Sequence, residues 1–450
     1  MGLFNYSDII VFNCYVKDIQ IDAQSMLGEG ISSGIISVAQ KYNVVNISNA
    51  EITFSFIYCN SRYPKAGGLV GIGFYGLVDV KYSYVRNTAI QSSDELYQNQ
   101  TTPYYLMQMW GLACGFLAQY YNSNIKILQV ELTDSIISVN CSNISSSSGI
   151  TSQLLKTYLN ISQIIIQNAI VYSYSKDMQS FAAGIGGYQS GNSSYLDTIR
   201  IIKSNITSIS YILSYVSGIN AYLQSMNETI LDIQVQGTYL NSTNIDIQIG
   251  KGISNIGSIY GFVQSSNTTT INCKISTTNI QGYNNEAIYM GGLVGYYSYT
   301  NSTLVDSSVT DCNLSANTQS KDTVVGGVVG YYVRSNVTIF DTNVSNLILQ
   351  SFTVAGVHCS SLIAAALAFG SNSLIIQNSN VYSITILYSG TNVHVNFFVN
   401  YQTKLLTQIQ TAVINSQSLG FSTINGIAVT NCQFQIRNDT INYQINYDGC

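Results

Sequence analysis

Gly291-Gly292-Leu293-Val294-Gly295-Tyr296-Tyr297 returns 35 residues later as Gly326-Gly327-Val328-Val329-Gly330-Tyr331-Tyr332. The downstream flank returns with it: Thr303-Leu304-Val305-Asp306-Ser307-Ser308-Val309 matches Thr338-Ile339-Phe340-Asp341-Thr342-Asn343-Val344. Self-similarity at a fixed period of this size marks stacked supersecondary units, each too small to bury its own apolar face. With the second glycine as anchor, candidates fall at Gly2, Gly34, Gly68, Gly111, Gly149, Gly184, Gly218, Gly261, Gly292 and Gly327. Degenerate anchors follow at Ala365 and Phe397. The steps run from 31 to 43 residues, and the two longest read as loop insertions.

A second landmark keeps the same register. It is Asn or Asp, a small residue, a free position and an apolar one. Asn13-Cys14-Tyr15-Val16, Asn168-Ala169-Ile170-Val171 and Asn272-Cys273-Lys274-Ile275 are examples, with weaker copies at Lys203 and at Gln236-Gly237-Thr238-Tyr239. Asn and Asp tolerate left-handed backbone, so each copy predicts a bend, with a small inward residue beside it. Between landmarks the chain alternates apolar with polar, as in Ile125-Lys126-Ile127-Leu128-Gln129-Val130-Glu131-Leu132. Ile, Val, Thr and Tyr dominate these segments, which is strand chemistry.

The simplest stack of such units is a right-handed parallel β-helix, a β-solenoid of about twelve coils of roughly 35 residues, with about three strands per coil. At one rung per coil the rod would be roughly 55–60 Å long. One repeat domain spans 1–450 and is least regular after residue 397, and the chain reads as part of something longer. In this reading Leu69, Leu112, Leu293 and Val328 stack in one core. Gly68, Gly111, Gly292 and Gly327 are structural glycines, placed where φ must be positive or where backbones approach closely.

Composition narrows the function classes. Charged residues make up 9% and apolar ones 46%, so Asn, Ser, Thr, Gln and Tyr must supply the polar surface. A net charge of −5 argues against a nucleic-acid partner, which needs clustered Lys and Arg. The two prolines, Pro64 and Pro103, suit a chain whose N–H groups are needed in ladders. No basic n-region followed by an apolar core opens the chain, and Tyr6 stands where a myristoylation site needs Ser or Thr. The most apolar window, residues 352–370, contains His358, Ser360 and Ser361 and reads as a buried coil rather than a membrane span. Membrane attachment would come only from segments outside this chain.

Gly67-Gly68-Leu69-Val70-Gly71 together with the two stretches quoted first resembles the GLUG motif, a short repeat of bacterial and protist surface proteins. Trp110-Gly111-Leu112-Ala113-Cys114-Gly115 keeps the glycine spacing with changed filling. The resemblance implies a surface-associated β-solenoid, adhesin-like or protease-associated, whose motif residues are structural and carry no catalysis.

The residues that could carry chemistry each have a structural reading as well. Nine cysteines with no Cys-x-x-Cys pair and only two histidines do not form a zinc site of the usual spacing. Cys14, Cys141, Cys273, Cys312 and Cys432 follow Asn or Asp and read as small inward residues. Asp134, Asp306 and Asp341 recur at the bend position, which is a structural role. No nucleophile elbow, P-loop, zincin or calcium-roll motif occurs, and no cofactor is implied. Sequons are frequent, six of them beginning at Asn46, Asn143, Asn205, Asn227, Asn301 and Asn336, as glycosylation acceptors or as a by-product of composition.

The tyrosines are the strongest candidates for a binding surface. Four residues past the anchor stand Tyr6, Tyr188, Tyr222, Tyr296, Tyr331, Phe369 and Tyr401; five past it come Tyr297 and Tyr332. Stacked coils would make them a stripe, either a ladder of rings or a strip for glycans or surface proteins. One member of each adjacent pair should face inward and the other outward. The leading reading is a non-enzymatic extracellular or cell-surface solenoid. The runner-up is a polysaccharide lyase or hydrolase on a pectate-lyase-like β-helix, which would show clustered acids or bases in one groove.

Overall fold

A computed structural model of the protein describes residues 3–5, 8–40, 44–94, 110–244, 252–360, 363–367, 372–390, 392–395, 409–414, 417–419, 421–425 and 427–430. All of its regular structure is β, and the coils pair in parallel. Among the described residues the one antiparallel pair joins Phe421–Ile424 to Ile427–Thr430. One sheet holds 11 strands, from Leu3–Asn5 to Ile363–Leu367, which makes about ten turns rather than twelve. The molecule is a parallel β-solenoid.

One coil shows how the sequence bends. Leu117–Tyr121, Asn124–Thr133, Ile136–Cys141 and Ile144–Ser148 pair in turn with Thr151–Leu155, Tyr158–Gln167, Ile170–Ser175 and Gln179–Ala183. The coil has four strands, and the ten-residue one contains a corner at Gln129, whose φ is 53°. That corner resets the alternation. Ile127 points in, Leu128 and Gln129 both point out, and Val130 points in again.

Left-handed backbone recurs in three columns. The first runs through Tyr75, Asn122, Lys156, Ser225, Ser265, Tyr299 and Arg334. Seven residues later comes a second, with Tyr82, Gln129, Gln163, Asp232, Asn272, Asp306 and Asp341; five later again comes a third, with Asn87, Asp134, Asn168, Lys203, Gly237, Thr277, Asp311 and Asn346. The Asn/Asp landmark of the sequence is therefore two corners read as one. Asn272 belongs to the second and Asn168 to the third. At the weak copy, the bend residue is Gly237 (φ 59°) rather than Gln236.

The small residue after a corner is more than a fit to space. Ser204 Oγ donates to the Ile202 carbonyl (3.1 Å) and accepts the Ala169 N–H of the preceding coil (3.3 Å). Ser83, Ser123, Ser135, Ser266, Ser335 and Ser379 make the same two bonds. A corner frees an N–H from the ladder, and the hydroxyl supplies the acceptor that a buried donor requires. Cys273 and Cys312 occupy this position and reach the Ile271 and Thr310 carbonyls at 3.7 and 3.0 Å.

The anchor glycines work by close approach. A Cβ on Gly292 would lie 2.1 Å from the Gly327 carbonyl oxygen, and one on Gly68 would lie 1.8 Å from that of Gly115. The true column is Gly34, Gly68, Gly115, Gly149, Gly184, Gly218, Ser258, Gly292 and Gly327. Gly111 is not a member, because its missing Cβ makes room for Cys141 Sγ. Gly261 abuts the Ala221 and Val216 carbonyls, and Ala365 pairs with Tyr331 four residues beyond the anchor register. Several positions in each coil need a glycine for closeness, so glycine alone could not single out one column. The core stack is accordingly Ile35, Leu69, Phe116, Ile150, Ile185, Ile219, Ile259, Leu293 and Val328, all buried, and Leu112 lies outside it. The described part of the apolar window, 352–360 and 363–367, holds the strands Gly356–Ser360 and Ile363–Leu367, and no helix long and apolar enough to cross a membrane occurs among the described residues.

Candidate functional site: an aromatic crease

The tyrosine stripe exists, and it has a partner column. Parallel register aligns Tyr188, Tyr222, Phe262, Tyr296 and Tyr331 on successive rungs. Successive ring centroids are 5.0, 5.1, 4.8 and 4.8 Å apart. Tyr297 and Tyr332, the second members of the adjacent pairs, are fully buried in the main core with Tyr260 and Tyr120. The inward–outward split therefore holds. Phe262 was hidden in the sequence by the false anchor at Gly261. Tyr6, Phe369 and Tyr401 lie outside the described residues.

The outer members are not surplus. Across the glycine corner stand Trp110, Phe181, Tyr215 and Tyr289, carried by the preceding strand of each coil. Tyr215 meets Tyr222 edge-on at 5.3 Å, Phe181 meets Tyr222 at 5.7 Å, and Tyr289 stacks on Tyr331 at 4.7 Å. Side chains on the outside of both flanking strands touch, so the corner is re-entrant and forms a crease along the rod. The crease needs rings from both walls to fill it, and edge-to-face contacts of this kind contribute about 0.5–1.5 kcal/mol each. Two of its hydroxyls are paired: Tyr188 donates to Gln224 Oε1 (2.8 Å) and Tyr222 to Gln264 Oε1 (2.6 Å). Burial raises the Tyr188, Tyr222 and Tyr296 hydroxyls above the ordinary phenol range. The stripe is a second packing seam.

The remaining candidates take structural places. Asp134, Asp306 and Asp341 sit at left-handed corners on separate coils, and Asn168 donates to Asp134 Oδ1 at 3.0 Å. Cys59, Cys114, Cys141, Cys273, Cys312 and Cys359 are buried unbridged thiols, and Cys14 is half-buried. Burial pushes Cys59 and Cys312 up to about 11 and Cys273 and Cys359 up to about 12, so these thiols stay protonated. Cys432 lies outside the described residues. Among the described residues no three His, Cys, Asp or Glu side chains gather as a metal site.

Four sequons, those of Asn227, Asn267, Asn301 and Asn336, share one exposed column. The Asn267, Asn301 and Asn336 amides donate to Asn227, Asn267 and Asn301 at 2.9, 3.1 and 2.8 Å. Thr229, Thr269, Thr303 and Thr338 align beside them, so the Asn-x-Thr pattern follows from a surface ladder. No family model, curated protein or solved structure matches the chain.

Proposed function

We propose that the protein is a non-enzymatic β-solenoid of a cell-surface or secreted molecule, a stalk that makes adhesin-like contacts with glycans or surface proteins. The observation that carries this reading is the repeated register of core and corner positions over successive coils, with an asparagine ladder over four rungs, beneath a hydroxyl- and amide-rich exterior. Such a surface stays hydrated without charge and presents the same side chains at each rung, which favours multivalent contact. The GLUG resemblance agrees with a surface location. Fluorescently labelled full-length protein should be retained saturably on intact cells, and it should release no reducing or unsaturated ends from polysaccharides. Steady product release would replace this reading with the lyase or hydrolase one.

A further inference from the structure

Phe54 stands at a corner that the neighbouring coils fill without an aromatic ring. It occupies a third-column corner with φ 49°, between Asp18 (54°) on the coil before and Asn87 (47°) on the coil after. The backbone bonds are alike at all three: the N–H groups of Asp18, Phe54 and Asn87 donate to the Thr53, Arg86 and Thr133 carbonyls at 3.2, 3.3 and 3.1 Å. Asp and Asn therefore serve this corner as well as Phe does, and they tolerate left-handed backbone where a bulky ring rarely does. The ring is 58% exposed and joins none of the hydrophobic clusters. Tyr75 and Tyr82, 49% and 44% exposed, take the first and second corners of the next coil in the same disfavoured conformation. No core cluster takes in the Phe54 ring to offset this conformation, and backbone strain concentrates at functional sites.

A shallow, open depression lies beside the Phe54 ring, lined by Asp18, Gln20, Phe56, Asn87 and Ala89. It opens because Ala89 is small; the next rung carries Ile136 at the same place. The Lys17 ammonium lies over the ring, 5.8 Å from its centroid, and 3.9 Å from Asp18 Oδ2. We infer that this corner of the early coils is a binding subsite for a neutral pyranose sugar. The C–H face of the sugar would rest on Phe54, and its hydroxyls would meet the Asp18 carboxylate and the Gln20 and Asn87 amides. The chemistry selects that class: an exposed ring offers an apolar platform, planar carboxylate and amide groups pair with vicinal hydroxyls, and the Lys17–Asp18 ion pair leaves the corner without net charge, which favours a neutral ligand. This inference deepens the adhesin-like reading and rests on it.

The test uses the full chain and an array of neutral glucose, galactose and N-acetylglucosamine oligosaccharides. The parent should be retained on at least one of them. Phe54→Asn, which restores the relaxed corner residue, should lower that retention at least tenfold without lowering Tm. Tyr299→Asn, the same change at a distant corner, should leave retention unchanged. Equal retention by Phe54→Asn overturns the site, as does a fall in its Tm, which would make the ring a packing element. Retention on cells that survives glycosidase but not protease treatment keeps the adhesive reading and overturns the sugar subsite. Absence of retention on both cells and array removes both.

Discussion

Glu228 places a carboxyl on an inward position of the rung that carries Ser194, Thr268 and Ser302 on neighbouring coils. Its Oε1 accepts from Ser194 Oγ (2.6 Å) and Asn220 Nδ2 (2.8 Å), with Tyr260 and Tyr297 as the nearby titratable groups. Burial pushes the carboxyl from 4.5 up to about 7, against bonds from Ser194 and Asn220 that favour its ionised form. Between those values the folded chain keeps a proton that the unfolded chain has released. Stability therefore falls as pH rises through this window, by roughly 3 kcal/mol in all. Glu228→Gln should remove that slope, so the Tm difference between variant and parent should widen from pH 4 to pH 8; parallel curves would exonerate Glu228. The corner hydroxyls allow a second residue-scale test. Ser204→Ala deletes the bond to Ile202 and orphans the buried Ala169 N–H, which should cost about 1–3 kcal/mol in denaturant titrations. Neither role was visible in sequence, because the Ser204 bond to the Ala169 N–H and the Glu228 bond from Ser194 each cross to a coil more than thirty residues away.

At the scale of the corner and its strands, glycine has two distinct uses. Gly292 keeps ordinary backbone but lies under a carbonyl of the next coil, so Gly292→Val forces a rigid backbone atom to move and should cost more than about 3 kcal/mol by chemical denaturation. Gly237 has left-handed backbone and open space around its missing Cβ, the nearest atom being 3.5 Å away. Asn fits that conformation and loses less entropy on folding, so Gly237→Asn should raise stability by about 0.4–1 kcal/mol. A melt in which Gly292→Val matches the parent, or in which Gly237→Asn is the less stable, would reverse these assignments. The period, the strand chemistry, the inward–outward split of Tyr296/Tyr297 and the bend role of Asn and Asp were all legible in the sequence, because each rests on local preference repeated in register. The phase of the anchors was not. Gly111, Gly261 and Ala365 were placed off register because other close-approach positions also take small residues, and a shift of three or four residues leaves a glycine pattern almost intact. The partner wall of the crease was equally hidden: Tyr215 and Tyr222 meet only because the corner between them is re-entrant.

Across the whole rod each coil touches chiefly its two neighbours, so stability is close to a sum of coil and interface terms rather than the property of one closed core. Ten steps of rung spacing along the 11-stranded sheet give a length of roughly 48 Å. The near-identity of the coils around Gly292 and Gly327 turns this into a test. Asn301 pairs with Asn336, Tyr297 with Tyr332 and Val294 with Val329, so removing residues 292–326 would join Gly291 to Gly327 and bring Tyr260 against Val329 as it now meets Val294. Every ladder would close again with an equivalent residue: Asn267 on Asn336, Phe262 on Tyr331, Ser266 near Ser335. The shortened protein should keep a β-rich circular dichroism spectrum and a cooperative melt within a few degrees of the parent. Removing only residues 292–311 breaks the register at the same junction, leaving core-facing Ile259 opposite a polar segment, and that variant should unfold or aggregate. If both deletions behave alike, whether both fold or both fail, the coils are not independent units in register and the additive picture of the rod is wrong.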